Sequence, residues 1–166
     1  MARITPEELI ASPFTLIGKE WLLLAAEKEG KVNAMTCSWG GMGVLWGKNV
    51  AFIFVRHSRY TLEFLEAADG FSLSWFDDPG HKMLGYLGSV SGREEDKLAK
   101  AGLVADLSQG APCFDSAKRT MICRKLYTQE VLPERFCDKT ILASCYKDSD
   151  YHRMYVGEIL SIEQEQ

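Results

Sequence analysis

The sequence lacks features that mark several common classes of protein. It has no excess of positive charge, because 19 Lys and Arg residues stand against 23 Asp and Glu residues and give a net charge of -4 at pH 7. Such a surface repels nucleic acid and anionic lipid, so neither is expected as a partner. The longest apolar runs, Trp21–Ala26 and Val50–Val55, are far shorter than the roughly 20 residues that span a bilayer. We therefore predict no membrane segment.

Signals for secretion, disulfides and metal binding are also missing. The first six residues, Met1–Pro6, contain no apolar signal-peptide core. The chain has five cysteines and no CxxC pair, and an odd count without a secretion signal favours reduced thiols. Its three histidines share no metal-ligand spacing with each other or with the cysteines. We expect a cytoplasmic protein with free cysteines and without a metal site.

The common catalytic and nucleotide-binding motifs are absent as well. There is no GxxxxGK[ST] phosphate loop, no GxGxxG after a strand and no GxSxG elbow. What is present is material for a core, because 46% of the 166 residues are hydrophobic and 11% are aromatic. No linker, repeat or low-complexity tract divides the chain. The sequence therefore predicts one domain, residues 1–166, with a continuous core.

Hydrophobic patterning predicts an irregular order of strands and helices. Runs with strand character lie at 15–24, 32–38, 49–56, 71–76, 120–130 and 154–162. Helical signals lie at 5–10, 58–68, 81–87 and 94–101, whereas 40–43 reads as a flexible glycine segment and 133–148 as irregular. Strands and helices do not alternate regularly, which argues against a doubly wound parallel sheet. We predict a mainly β fold, an antiparallel barrel with peripheral helices.

The segment Arg56–Thr61 is the first candidate for chemistry, because it lies where an apolar strand ends and an amphipathic helix begins. Free backbone N–H groups in a first helical turn attract anions, and arginine favours bidentate contacts with phosphate oxygens. A phosphate site would use Arg56, Ser58 as helix cap, Arg59 and Thr61. The alternative is an ordinary capped helix with two solvated arginines.

A second candidate segment lies at the end of the strand predicted at 32–38. Small and hydroxyl side chains there meet an aromatic residue and two glycines, at Asn33, Ala34, Met35, Thr36, Cys37, Ser38, Trp39, Gly40 and Gly41. Small side chains let a flat ring approach the backbone, whose polar groups can pair with the edge of the ring. Trp39 or Trp46 could then form a wall of the site. The same pattern also fits an ordinary strand end before a glycine turn.

Taken together, several segments resemble the flavin reductase-like (flavoredoxin-type) family of FMN-binding split-barrel proteins. The resemblance runs from about Phe14 to Ile162. It rests on the segments NAMTCSWG (33–40), GVLWGK (43–48), VRHSRYT (55–61), FSLSWF (71–76), LGSVSGR (87–93) with DK (96–97), and YHRMYVGE (151–158). Each segment alone is weak, but their order and spacing are specific.

This resemblance implies a six-stranded antiparallel split β-barrel and a homodimer with FMN near the subunit interface. It implies that residues 33–39 hold the isoalloxazine edge and that Arg56, Ser58, Arg59, Tyr60 and Thr61 hold the phosphate and ribityl end. His152 corresponds to a late histidine expected near the flavin or its reductant, and it is the catalytic candidate. A lone histidine at such a position is more often structural or exposed. The resemblance gives no role to Ser91 and Lys97, which lie in a family motif.

The resemblance implies an FMN-dependent oxidoreductase, in which the flavin carries the redox chemistry and the protein positions it. Electrons would come from NAD(P)H or a redox protein and pass to free flavin, a metal centre or a partner protein. A flavoredoxin-like electron carrier is therefore an alternative to a flavin reductase. A non-enzymatic FMN-binding or sensory module and a structural dimer with a vacated site are the other classes to separate.

Overall fold

The computed structural model describes residues 1–165. In the first half, the chain forms β1 (Ala2–Ile4), a 3-10 turn (Pro6–Glu8), α1 (Pro13–Gly18), β2 (Leu22–Lys28), β3 (Lys31–Cys37), β4 (Gly40–Leu45), β5 (Lys48–Arg56), α2 (Thr61–Ala67) and β6 (Gly70–Trp75). In the second half, it forms α3 (Lys82–Ser89), α4 (Lys97–Lys100), β7 (Ala105–Asp106), β8 (Cys113–Phe114), β9 (Arg119–Glu130), a second 3-10 turn (Pro133–Arg135), α5 (Thr140–Cys145) and β10 (His152–Gln164).

One antiparallel sheet dominates the structure. Its strands follow the order β3-β2-β6-β9-β10-β5-β4, and the short β1 pairs with β10. Strands β7 and β8 form a separate two-stranded pair. The predicted mainly antiparallel β architecture with peripheral helices is confirmed. Within residues 1–165 the sheet contains eight strands, the short β1 included. The six-strand count of a split barrel and the closure into a barrel stay predictions.

The core lies on both faces of β2, which explains why this strand reads as a continuous apolar run. Leu22, Leu24 and Ala26 belong to the main cluster, which also contains Trp75 and Tyr155. Because successive side chains of a strand point to opposite faces, Leu23 and Ala25 enter a second cluster on the other face. That cluster is completed by Leu84 and Leu87 of α3 and by residues of the 98–117 region.

Two predicted elements differ in type from those observed. Residues 15–18, predicted as the start of a strand, belong to α1, which begins at Pro13, a residue suited to the first position of a helix. Residues 40–43, predicted to be flexible, form most of β4 and pair with β5. A Cβ atom at Gly40 would lie 2.6 Å from the carbonyl oxygen of Phe52. The glycine is therefore needed for close strand pairing.

Two helices begin later than the sequence predicts. The helix predicted at 58–68 begins at Thr61, and the one predicted at 94–101 covers only Lys97–Lys100. Asp96 caps that helix by accepting from the amide of Ala99 at 3.0 Å. The spacing of Ser91 and Glu94 fits a capping box, but the Ser91 hydroxyl accepts from the Arg93 amide instead. The region predicted as irregular contains α5.

Candidate functional site

A cleft of about 230 Å³ opens beside the ends of β3 and β5 and the start of β10; we call it the large cleft. Its position follows from the sheet register, because His152, the first residue of β10, pairs with Arg56, the last residue of β5. The cleft is lined by Met35, Thr36, Cys37, Ser38, Trp39, Phe54, Arg56, Arg59 and His152. All of these except Phe54 are sequence-predicted site residues.

A second cavity, of about 100 Å³, adjoins the large cleft because Met35 and Arg59 line both; we call it the small cavity. Its remaining lining consists mainly of hydroxyl residues, glycine and one lysine: Asn33, Ser58, Tyr60, Thr61, Ser89, Val90, Ser91, Gly92 and Lys97. The two segments predicted separately from the sequence therefore meet along one continuous surface. Ala34 does not contribute its side chain to this surface, since it lies in the second core cluster with Leu84.

The β3 wall is held in place by hydrogen bonds to the helices around it. The Thr36 hydroxyl donates to the carbonyl of Leu84 at 2.5 Å. The Asn33 amide donates to the Thr61 hydroxyl at 2.9 Å, so the Thr61 hydrogen stays available for another acceptor. Cys37 is buried, and burial raises the pKa of its thiol to about 12. It is therefore a protonated, unreactive thiol at neutral pH.

Arg56 is tied to the loop that precedes β10. Its guanidinium donates to the carbonyl of Asp150 at 3.0 Å and to that of Cys145 at 2.8 Å. It also lies 5.3 Å from the ring centre of Tyr146. Arg56 thus lines the large cleft mainly as a clamp for residues 145–150.

Ser58 is not the helix cap that the sequence predicted. Its amide donates to one carboxylate oxygen of Asp150 at 3.2 Å, and its hydroxyl donates to the other at 2.6 Å. The residue before α2 is Tyr60, whose side chain makes no capping hydrogen bond. The turn after β5 therefore binds an internal carboxylate through Ser58, and its binding of a phosphate stays a prediction.

Two cations face the small cavity without an acidic partner. Arg59 donates to the carbonyl of Gly88 at 2.8 Å. Lys97 is buried, and its ammonium donates to the carbonyls of Leu87 at 2.7 Å and Val90 at 2.9 Å. Burial, and secondarily the charge of Arg59, lower the pKa of Lys97 to about 8. No carboxylate within residues 1–165 forms an ion pair with either residue, so the cavity carries uncompensated positive charge.

His152, the first residue of β10, forms part of the wall of the large cleft. It is buried, and its Nδ1 atom lies 2.7 Å from the hydroxyl of Tyr146. Its ring lies 5.5 Å from that of Trp39 and 6.4 Å from that of Phe54. Burial, and then the nearby charge of Arg56, lower the pKa of His152 to about 4. The imidazole is therefore neutral at physiological pH.

Sequence reasoning missed part of this site. Phe54 faces the large cleft from the middle of a strand that reads as uniformly apolar, so nothing in the pattern distinguishes it. Tyr146 lies in the segment predicted as irregular. Ser91 and Lys97 were noticed only as part of a motif, and their place at the small cavity required the structure.

Two other classes of site find no support in the part of the chain that is described. None of its helices is long and apolar enough to cross a membrane. Among residues 1–165, no group of three or more His, Cys, Asp or Glu side chains is arranged to hold a metal ion.

Comparison with known proteins identifies the family. Residues 15–166 match the model of the flavin reductase like domain. The chain belongs to the flavin reductase-like family. The structure resembles a flavoredoxin from Methanosarcina acetivorans, with a TM-score of 0.69 and 24% identity over 89% of this chain and 69% of that one. It also resembles the NADH:FAD oxidoreductase SgcE6 of Streptomyces globisporus, with a TM-score of 0.65 and 15% identity over 88% and 74%.

An FMN-binding protein from Thermus thermophilus, solved with bound 1-cyclohex-2-enone, gives a TM-score of 0.67 at 19% identity, covering 99% of this chain and 81% of that one. A search of curated proteins gave no match. At these identities, the solved structures establish the fold.

Proposed function

We propose that this flavin reductase-like protein binds FMN across the large cleft and the small cavity and acts as an oxidoreductase through it. The observation that carries the proposal is the pair of cations at the small cavity, Arg59 and Lys97, which have no carboxylate partner within residues 1–165. Arg59 is exposed and Lys97 is buried, and the charge of Arg59 disfavours the charged form of Lys97. A dianionic phosphate between them would relieve that repulsion.

The donors at the small cavity fit a phosphate ester. Arg59 and Lys97 supply charge, and Thr61 has a free hydroxyl hydrogen because its oxygen already accepts from Asn33. The Ser89 hydroxyl donates to the carbonyl of Tyr86, so it can act only as an acceptor unless it rotates. We assign phosphate binding to Arg59, Lys97 and Thr61. Arg56 and Ser58, which the resemblance also implied, hold the loop at Asp150 instead.

The large cleft fits a flat, partly polar ring. Trp39 and Phe54 provide aromatic walls, Met35 provides a polarizable one, and the end of β3 offers backbone N–H and C=O groups. FMN, when bound there, would supply the redox chemistry through its isoalloxazine ring. The protein holds the ring, limits water access through the apolar walls and places the neutral His152 beside it.

We further propose that NAD(P)H is the reductant, which makes this chain a flavin reductase. Support comes from the fold of SgcE6, described as an NADH:FAD oxidoreductase, while the flavoredoxin from M. acetivorans favours an electron carrier. Purified protein reconstituted with FMN should be yellow, with a stoichiometry of one flavin per chain. Anaerobic mixing with NADH or NADPH should then rapidly bleach the flavin absorbance.

The outcomes of this experiment separate the alternatives. Protein that stays colourless after incubation with FMN contradicts the proposed function. A yellow protein that neither nucleotide bleaches, but that a reduced redox protein does, is an electron carrier. A flavin that no donor reduces indicates a binding or sensory module.

We also propose a homodimer, as the resemblance implies, and a cytoplasmic location, as the pattern of cysteines in the sequence favours. Support for the dimer comes from an apolar groove of about 520 Å³ beside the large cleft, lined in part by Phe14, Trp39 and Met42. Phe14 is 87% exposed and Trp39 is 51% exposed. Exposure of such large apolar side chains to water is costly for a monomer. Light scattering on a size-exclusion column tests this assembly.

A further inference from the structure

We infer that Tyr146 is a positioning residue that fixes His152 in the tautomer with its proton on Nε2, so that the large cleft is offered an N–H donor rather than a base. The tautomer itself is a property of the protein alone. Its role toward a bound ring rests on the proposed function.

The contact between the two residues is a buried hydrogen bond. The Tyr146 hydroxyl lies 2.7 Å from Nδ1 of His152, and the two rings meet nearly edge to face at 84°. Tyr146 is 9% exposed and His152 is 7% exposed. At this distance and burial, the hydrogen bond dictates which ring nitrogen carries the proton.

The direction of this hydrogen bond follows from the supply of donors. A tyrosine hydroxyl has a single hydrogen, and a neutral imidazole has one N–H group and one bare nitrogen. If Nδ1 carried the proton and donated to Tyr146, the buried O–H would need another acceptor, and within residues 1–165 the hydroxyl contacts only His152. A buried donor without an acceptor is costly. Donation from Tyr146 to a bare Nδ1 avoids that cost and leaves the proton on Nε2.

The Nε2 atom faces the large cleft. Within the described chain, every fully buried side-chain nitrogen or oxygen has a hydrogen-bond partner. Nε2 has no such partner among residues 1–165, so it must be open to solvent. The large cleft is the cavity that His152 lines. Its N–H is therefore available to whatever occupies that cleft.

The surroundings of Tyr146 keep it from moving away. Arg56 lies over its ring and donates to the carbonyl of the preceding residue, Cys145. Tyr151 stacks on the Tyr146 ring at a centroid distance of 5.1 Å, and Phe136 contacts the same ring edge-on at 5.7 Å. Its own amide donates to Leu142 at 3.0 Å, which closes α5. The loop between α5 and β10 thus delivers a fixed hydroxyl to His152.

A fixed N–H donor has a defined chemical use. It can bind an acceptor atom of a ring in the cleft, and it stabilises negative charge that grows there on reduction. A charged imidazolium would do this more strongly, but the burial of His152 beside Arg56 disfavours it. The site therefore relies on a neutral donor whose orientation Tyr146 sets.

The test is nitrogen NMR of the flavin-free protein labelled in its imidazole nitrogens, between pH 6 and 8. The chain has only three histidines, and His152→Gln identifies the signal of His152. We expect a protonated Nε2 and an unprotonated Nδ1. Tyr146→Phe should shift the tautomer ratio toward Nδ1–H by roughly 2- to 10-fold, the value of one neutral hydrogen bond.

Tyr151→Phe is the matched control, because it removes a neighbouring hydroxyl that contacts no side chain within residues 1–165. It should leave the tautomer ratio unchanged. A wild-type His152 with its proton on Nδ1 would overturn the inference, and so would an unchanged ratio in folded Tyr146→Phe. If that variant does not fold, the wild-type spectrum alone still decides the tautomer.

Failure of the proposed function and failure of this inference give different experimental results. A protein that binds no FMN but shows the Nε2–H tautomer refutes the flavin assignment and keeps the inference about Tyr146. Conversely, a yellow, reducible protein with Nδ1–H refutes the inference and keeps the flavin.

Discussion

Substitution of Lys97 by methionine is the sharpest test of the phosphate site. Methionine keeps much of the length and apolar character of the side chain but removes the ammonium. Lys97, the first residue of α4, is buried and lines the small cavity together with Arg59. We expect Lys97→Met to weaken binding of FMN and to leave binding of riboflavin, which lacks the phosphate, nearly unchanged.

The magnitude follows from the number of N–H groups that Lys97 can offer. The ammonium has three, and two of them donate to the carbonyls of Leu87 and Val90. One is left for a phosphate oxygen. A hydrogen bond to a charged group contributes about 1.5–3 kcal/mol, so FMN affinity should fall roughly 10- to 150-fold.

The pH dependence gives this prediction a second signature. Burial and Arg59 lower the pKa of Lys97 to about 8, so the free protein loses this charge as the pH rises through 8. FMN affinity of the wild type should therefore fall above pH 8, and a bound phosphate will delay the loss by raising the pKa. Lys97→Met should show no such fall.

The assay is a titration of flavin fluorescence with FMN and with riboflavin at pH 7 and pH 9. Lys100→Met is the matched control, since Lys100 lies three residues along the same helix, is exposed and pairs with Glu95. It should bind both flavins like the wild type. An equal loss of FMN and riboflavin in Lys97→Met, or an unchanged FMN affinity in a folded variant, would refute the reasoning.

Three further predictions concern neighbouring residues. Arg59→Ala should weaken FMN binding, but not riboflavin binding, by about 1.5–3 kcal/mol, whereas Arg124→Ala, at the Glu158 ion pair, should not; fluorescence titration measures both. His152 has a folded pKa of about 4 against about 6.5 when unfolded, so the unfolded chain gains its proton first, and native stability falls by up to about 3 kcal/mol from pH 6.5 to pH 4. Urea unfolding of His152→Gln should lack this contribution, and an identical acid limb would contradict it. Asp150→Asn should change FMN affinity by less than about fivefold; a gain above tenfold in the same titration would mean that phosphate competes for Ser58.

The long, strongly patterned elements of the fold could be predicted from the sequence. Strand β5 needs no tertiary information, because 50–55 is a continuous apolar run rich in β-branched and aromatic residues. Strand β9 begins within one residue of its prediction. Elements set by backbone packing could not be predicted. The glycine-rich residues 40–43 look flexible in isolation, yet they form most of β4, in which Gly40 lets the chain approach Phe52 closely.

The candidate site shows the same division. The strand end at residues 33–39 and the turn at 56–61 were recognised from local chemistry, and the structure brings them to one surface. Their partners come from distant segments, so no local pattern could pair them. Lys97, the first residue of α4, lines the small cavity. Tyr146, which directly follows α5, contacts His152, and the sequence did not predict α5.

Asp150 occupies the amide of Ser58, where the sequence predicted a phosphate. Free amides after a strand do attract negative charge, and at Ser58 the chain satisfies that attraction with its own carboxylate. The same residue offers its carbonyl to Arg56 and lies two positions before His152. This internal ion therefore fixes the loop that presents the histidine, whereas the cations left uncompensated, Arg59 and Lys97, remain for a ligand. Since an anion site that is already filled cannot discriminate FMN from riboflavin, the proposed binding of FMN predicts that phosphate recognition resides at Arg59 and Lys97.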